Sequence, residues 1–263
     1  MKLYFIGDIG SYNIATKTII ENIKKNINND DKIILLGDNF YPNGVNSLED
    51  ERFKEFENLK IPIETYSILG NHDYLGSIEA QINYKKWNME NNYYKKSFDA
   101  FDLFFIDTAV ILPEYSNLNY NIVKSKLKKE PLEYSSEMLK WLDDELSKSD
   151  KKKVVVGHYP IVSYGMYGLN KMLFEKLFKI FKKNSVDYYI SGHDHNLQLI
   201  NITSQDYSFK QIVSGSGSYC YPVNKNLNKT SYFSNGYVEF NLDKNIVILK
   251  DFKNKTLYFE KIL

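Results

Sequence analysis

Apolar runs that stop abruptly at glycine recur along the chain. Leu3-Tyr4-Phe5-Ile6 ends at Gly7-Asp8, Ile33-Ile34-Leu35-Leu36 at Gly37-Asp38, and Thr65-Tyr66-Ser67-Ile68-Leu69 at Gly70-Asn71-His72-Asp73. Further on, Lys153-Val154-Val155-Val156 ends at Gly157-His158, and Val186-Asp187-Tyr188-Tyr189-Ile190 at Ser191-Gly192-His193-Asp194-His195. Short apolar runs closed by turn residues predict buried strands. Apolar positions at helical spacing predict helices over 15–27, 48–59, 136–147 and 171–182. Strands alternating with helices describe a layered α/β sheet. Two strand-like runs cover 96–100 and 103–106, and alternating segments at 197–200, 209–213, 236–240, 246–249 and 256–259 predict an antiparallel region closing a second sheet. The aromatic and polar stretch 84–92 is expected to form a loop or short helices over the site. Residues 113–131 lack strong periodicity and carry Lys124, Lys126, Lys128 and Lys129, which predicts an exposed loop. No linker rich in Pro, Gly or Ser interrupts residues 1–263, so a single domain is expected.

Composition narrows the field only modestly. The 263 residues are 43% hydrophobic and 25% charged, ordinary for a globular protein. Lys and Arg number 34 against 33 for Asp and Glu, so no global field draws the chain to nucleic acid or an anionic membrane. No stretch approaches the roughly 18 apolar residues of a membrane span. The single Cys220 cannot form an intramolecular disulfide, and the opening Met1-Lys2-Leu3-Tyr4-Phe5-Ile6 is too short for a signal peptide. A cytoplasmic location is therefore the expectation, with a secreted or lysosomal one if a leader has been removed. A monomer is favoured.

The chemistry lies at the strand ends. They carry Asp8, Asp38, Asn71 with His72, His158, and His193 with His195; these include all 4 histidines of the chain. A lone histidine is most simply a buried ring bonded to backbone, but four together at such ends argue for a shared task. In α/β sheets ligands bind at the carboxyl ends of strands. Carboxylates and imidazoles without cysteine suit zinc, iron or manganese rather than a structural zinc. The donors outnumber the needs of one ion, which points to two ions bridged by a shared carboxylate. Two metals about 3.5–4 Å apart clamp the attacking and leaving oxygens of a phosphoryl transfer.

The ordered series Gly7-Asp8-Ile9-Gly10, Gly37-Asp38, Gly70-Asn71-His72-Asp73, Gly157-His158 and Gly192-His193-Asp194-His195 resembles the calcineurin-like metallophosphoesterases. More narrowly, Gly37-Asp38-Asn39-Phe40-Tyr41 and Gly157-His158-Tyr159-Pro160 look like the purple acid phosphatases, nearest the small tartrate-resistant enzymes of animals. The likeness extends through Gln81-Ile82-Asn83-Tyr84, Lys86-Trp87-Asn88, Asn196-Leu197-Gln198 and Ser214-Gly215-Ser216-Gly217. It implies an α/β four-layer sandwich, with two mixed sheets packed face to face and flanked by helices. It also implies a first metal held by Asp8, Asp38, Tyr41 and His195, and a second held by Asp38, Asn71, His158 and His193. The anionic charge of the first set, with Tyr41 as phenolate, favours Fe3+; the second suits Fe2+, Zn2+ or Mn2+.

The activity so implied is hydrolysis of phosphate monoesters on a small phosphorylated substrate or a phosphoprotein, by in-line attack of a hydroxide generated at the metals. His72 is expected to face the substrate and protonate the leaving group, with Asp73 orienting it. The animal enzymes carry a second active-site histidine seven residues after the proline; here that position is Tyr167. The segment 113–131 takes the place of their repressive loop. A phosphodiesterase or protein phosphatase on the same centre is the alternative reading, and a non-catalytic metal-binding scaffold a further one.

Overall fold

In the computed structural model, which describes residues 1–262, the first strands are β1 (Lys2–Ile6), β2 (Lys32–Leu35) and β3 (Thr65–Ser67), with α1 (Ile14–Lys24) and α2 (Phe53–Glu57) between them. Then come α3 (Ile78–Ile82), β4 (Tyr94–Ser97), β5 (Phe101–Phe105), α4 (Thr108–Ile111), α5 (Tyr120–Leu127), α6 (Pro131–Ser147), β6 (Lys152–Val156) and α7 (Lys171–Asn184). The chain ends with β7 (Tyr188–Ser191), β8 (Leu197–Thr203), β9 (Ser208–Ser214), β10 (Ser231–Tyr232), β11 (Gly236–Asn241), β12 (Ile246–Asp251) and β13 (Thr256–Lys261).

The strands form two mixed sheets, ordered β13-β12-β11-β1-β2-β3 and β10-β8-β9-β7-β6-β5-β4. In the first, β1, β2 and β3 are parallel; in the second, β5, β6, β7 and β9 are parallel. Strand β1 is buried from Leu3 to Ile6, as a strand covered on both faces requires. Helix α1 turns Ile19, Ile20 and Ile23 into the core. The sheets meet through aromatic pairs, Phe240 of β11 lying 5.1 Å from Tyr188 of β7 and 6.1 Å from Phe101 of β5. Such pairs add to the area they bury.

Several expectations change. The late segments do not all close a second sheet: β8–β10 complete that sheet, whereas β11–β13 join the first, with β11 antiparallel to β1 at Leu3↔Phe240. Alternation identifies strands but not their distant partners. The expected helix over 48–59 shortens to α2, because Asp50 accepts from the amides of Asn46 and Arg52 and holds a turn there. Residues 84–92 do not lie over the site; Trp87 is fully buried beneath Phe40 at 5.6 Å.

The segment 113–131 is not one irregular loop. It contains α5, whose cap Asn119 accepts from Ile122 N at 3.0 Å and whose end is the left-handed Lys128. Helix α6 starts at Pro131, well before residue 136, with proline in the first turn where its missing N–H costs nothing.

Candidate metal centre

The carboxyl ends of β1, β2, β3, β6 and β7 converge between the two sheets. Asp8, Asp38 and His193 adopt left-handed backbone at φ 60°, 53° and 64°. Asp and His are among the residues enriched in that region, and the turn lifts each side chain over its strand end. Gly37 at φ +86° packs so closely that an added Cβ would meet Gly70 N and His158 Nδ1 at 2.7 Å. Glycine is therefore required there.

Hydrogen bonds lock the loops together. Asn39 donates from its side chain to Ile68 O at 2.9 Å, tying the β2 loop to the β3 loop, while Phe40 enters the aromatic cluster with Phe53 and Trp87. On the opposite side, Gly7 N donates to Ser214 O at 2.7 Å and Gly217 N to Gly7 O at 3.0 Å. The resembling Ser214–Gly217 stretch thus fixes the Asp8 turn.

Asp38 presents different oxygens to two donor groups. The Tyr41 hydroxyl lies 3.1 Å from Asp38 Oδ2, 3.0 Å from Asp8 Oδ1 and 3.1 Å from His195 Nε2. On the other side, His158 Nε2 lies 3.5 Å from Asp38 Oδ1 and 3.0 Å from Asn71 Oδ1. Asp38, His158 and His193 offer ligand atoms all within 4.8 Å of one another. The structure therefore gathers all seven expected ligands into two clusters that share Asp38.

Tautomers are set by backbone carbonyls. His158 Nδ1–H donates to Leu36 O at 2.7 Å, which leaves Nε2 free to ligate. His72 Nδ1–H likewise donates to Pro42 O, leaving Nε2 near the centre, 4.0 Å from Asp38 Oδ2. Burial opposes charge on Asp38, but the charge of His158, then of His72 and His193, holds it well below the usual carboxylate range. His158 is pulled down by burial yet carried up to about 9 by Asp38. Burial, followed by the charges of Asp38 and Asp8, pushes the Tyr41 phenol well above its ordinary value.

These residues fit metal ions. His193 Nε2 is buried with no hydrogen-bond partner, and an orphaned buried nitrogen costs on the order of 1–3 kcal/mol. Asp8 and Asp38 also crowd onto Tyr41 with no Lys or Arg paired to either among the described residues.

Two expected catalytic residues stand apart. Asp73 does not orient His72. Its carboxylate is buried and accepts from Gly70 N at 2.8 Å, Asn39 N at 3.1 Å and Gln81 Nε2 at 3.0 Å, so it braces the two loops. Burial, then the Asp38 charge, pushes it up to about 7. Tyr167 is half-buried with its ring 4.2 Å from that of His193, and burial pushes its phenol up to about 12. At that value it is a weak proton donor.

No motif marks Asn117, whose Oδ1 accepts from Asn71 Nδ2 at 2.6 Å and turns the amide oxygen of Asn71 toward His158. Asn39 and Gln81 lay inside resembling stretches but carried no assigned role.

Residues 1–197 match the family model described as calcineurin-like phosphoesterase. The chain belongs to that family. Among curated relatives, tartrate-resistant acid phosphatase type 5 of Sus scrofa is 31% identical over 227 residues, 80% of this chain and 64% of its own length. Purple acid phosphatase 3 of Arabidopsis thaliana is 36% identical over 202 residues, 72% of this chain and 54% of its own. This chain thus spans less than two thirds of the length of those relatives. Among solved structures, GAP50, described as the anchor in the inner membrane complex of Plasmodium, superposes with a TM-score of 0.73 at 26% identity, covering 100% of this chain and 88% of that one. The yellow lupin purple acid phosphatase PPD1 superposes at 0.66 with 15% identity over 98% of this chain and 53% of its own, which shows the shared fold.

Proposed function

We propose that this chain is a binuclear metal-dependent phosphomonoesterase of the purple acid phosphatase type. The observation that carries the reading is Asp38, whose two oxygens face separate donor clusters, one anionic and one largely neutral. Asp8, Tyr41 and His195 with Asp38 would hold a trivalent ion such as Fe3+. Asn71, His158 and His193 with Asp38 would hold Fe2+, Zn2+ or Mn2+. When bound, such ions supply Lewis acidity toward phosphoryl oxygens and lower the pKa of water.

The protein's own residues then divide the remaining work. The carbonyls of Leu36 and Pro42 fix the His158 and His72 tautomers, so both present Nε2 inward. Half-exposed His72 is the group placed to meet a substrate oxygen. With Nδ1–H committed to Pro42 O, it donates a proton from Nε2 only as imidazolium. Tyr167 covers His193 rather than serving as the acid, and leaving-group protonation rests on His72.

The similarity to GAP50 favours a second reading, a non-catalytic scaffold; the complete donor set favours the enzyme. Hydrolysis of p-nitrophenyl phosphate against bis-p-nitrophenyl phosphate, together with metal analysis, separates the readings. Preference for the monoester with about two metals per chain is expected. Preference for the diester points to a phosphodiesterase, and metal without turnover of either to a scaffold. Among the described residues no helix is long and apolar enough to cross a membrane. The free Cys220 fits a reducing compartment, and a monomer acting on a small phosphorylated molecule or phosphoprotein is the simplest assembly.

A further inference from the structure

A cavity of about 800 Å³ opens beside the centre. Its lining includes Tyr41, His72 and His195. Among the described residues, Asn71, His158, His193 and Tyr167 do not line it. His72 thus faces this space, which has room for a leaving group it protonates. The volume lies in the range of roughly 300–1,000 Å³ typical of small-molecule sites, well beyond what a phosphate fills.

Two aromatic rings, Tyr219 and Tyr221, line the same cavity and are 47% and 39% exposed. Exposed tyrosines are unremarkable in a chain with 22 of them, but these two share an orientation. Their planes lie 9° and 4° from that of His195, with centroids 6.3 Å and 4.8 Å away. The backbone that carries them is tied down. Tyr221 N donates to His195 O at 2.6 Å, Asn13 Nδ2 donates to Ser218 O at 2.8 Å, and Ser218 Oγ donates to Asp8 O. A surface built in advance adds little ordering cost on binding.

Charge on the lining does not select a second anion. Arg52 is clamped by Asp50 at 2.8 Å, and the lining carries Glu55 as well as Lys17. What remains is flat aromatic surface beside the reacting centre.

We propose that Tyr219 and Tyr221 form the leaving-group wall of this site and select phosphate monoesters whose leaving group carries a planar aromatic ring. The inference deepens the phosphatase reading and rests on it. A flat ring stacking there leaves its phosphate within reach of His72, whereas an aliphatic leaving group gains no such contact. The ring could be the phenol of a phosphotyrosine or the base of a nucleotide, which share this chemistry.

Calorimetric titration of the metal-loaded chain with phenylphosphonate and methylphosphonate tests binding without turnover. Phenylphosphonate is expected to bind about three- to tenfold more tightly, with Tyr219→Leu erasing most of that difference. Equal binding of the two ligands, or full discrimination retained in the variant, overturns the proposal. Turnover then separates the sources. Tyr219→Leu should lose more kcat/KM on phosphotyrosine, or on adenosine monophosphate, than on phosphoserine; the substrate that loses most names the ring, and equal losses on all three refute the wall. Discrimination between the phosphonates without hydrolysis of any ester would keep the wall as a ligand site and sink the phosphatase reading instead.

Discussion

Tyr41 touches both carboxylates of the first cluster, so its hydroxyl sits where negative charge is already crowded. Only a cation can make a phenolate acceptable there. Protein purified without chelators is expected to show a visible charge-transfer band, and Tyr41→Phe to abolish it; a band that survives the substitution places the iron elsewhere. Asp73 makes a different claim. Its carboxylate satisfies the amides of Gly70 and Asn39 and the side chain of Gln81, all in a buried setting. Asp73→Ala should lower unfolding free energy by about 3 kcal/mol or more, read from the denaturation midpoint, with Asp73→Asn costing less. If Asp73 instead served the chemistry of His72, Asp73→Asn would cut kcat while leaving that midpoint in place.

The segment from Pro113 to Pro131 is the element that departs most from its expectation. A helix rather than an irregular loop occupies its second half, while its first half reaches the centre. The Tyr115 ring lies 5.8 Å from that of His193, and Asn117 accepts from Asn71. The segment therefore packs beside the second cluster and orients one of its donors. Partners that orient a ligand commonly contribute ten- to a hundredfold in metal affinity. Asn117→Ala is expected to weaken retention of the divalent ion by about that factor, measured by competition with a chelator; unchanged retention would mean that Asn71 is held by other contacts. A repressive role makes a separate demand, that cleavage between Lys128 and Lys129 raise activity. A nicked chain no more active than the intact one would show that the segment does not restrict access.

At the scale of the whole molecule, the candidate ions would sit where two sheets meet. Asp8, Asp38 and Asn71 come from one sheet and His158, His193 and His195 from the other. Ions there would cross-link the halves of the core as well as serve the chemistry. Ligand bound at a thousand times its Kd stabilises a fold by about 4 kcal/mol. Removal of metal by chelation is accordingly expected to lower Tm by several degrees, with recovery on adding Fe3+ and Zn2+ together; a Tm indifferent to chelation would argue that the sites do not bind ions tightly.

The sequence by itself determined the strands, their glycine-terminated ends and the donor residues placed there, because buried strands and tight turns leave local signatures. It also pointed to Tyr41, whose position three residues after Asp38 matches a recognisable pattern. Tertiary structure alone decided the rest. The place of the β11–β13 meander depends on β11 pairing with β1, more than two hundred residues away, which no local period encodes. Asp73 looked catalytic by adjacency to His72, yet neighbouring residues in a turn point in different directions, and its carboxylate faces Gly70 and Gln81. Asn117 and the rim pair Tyr219 and Tyr221 carry no motif at all. Their importance is a matter of proximity, created when two sheets bring distant strand ends together around Asp38.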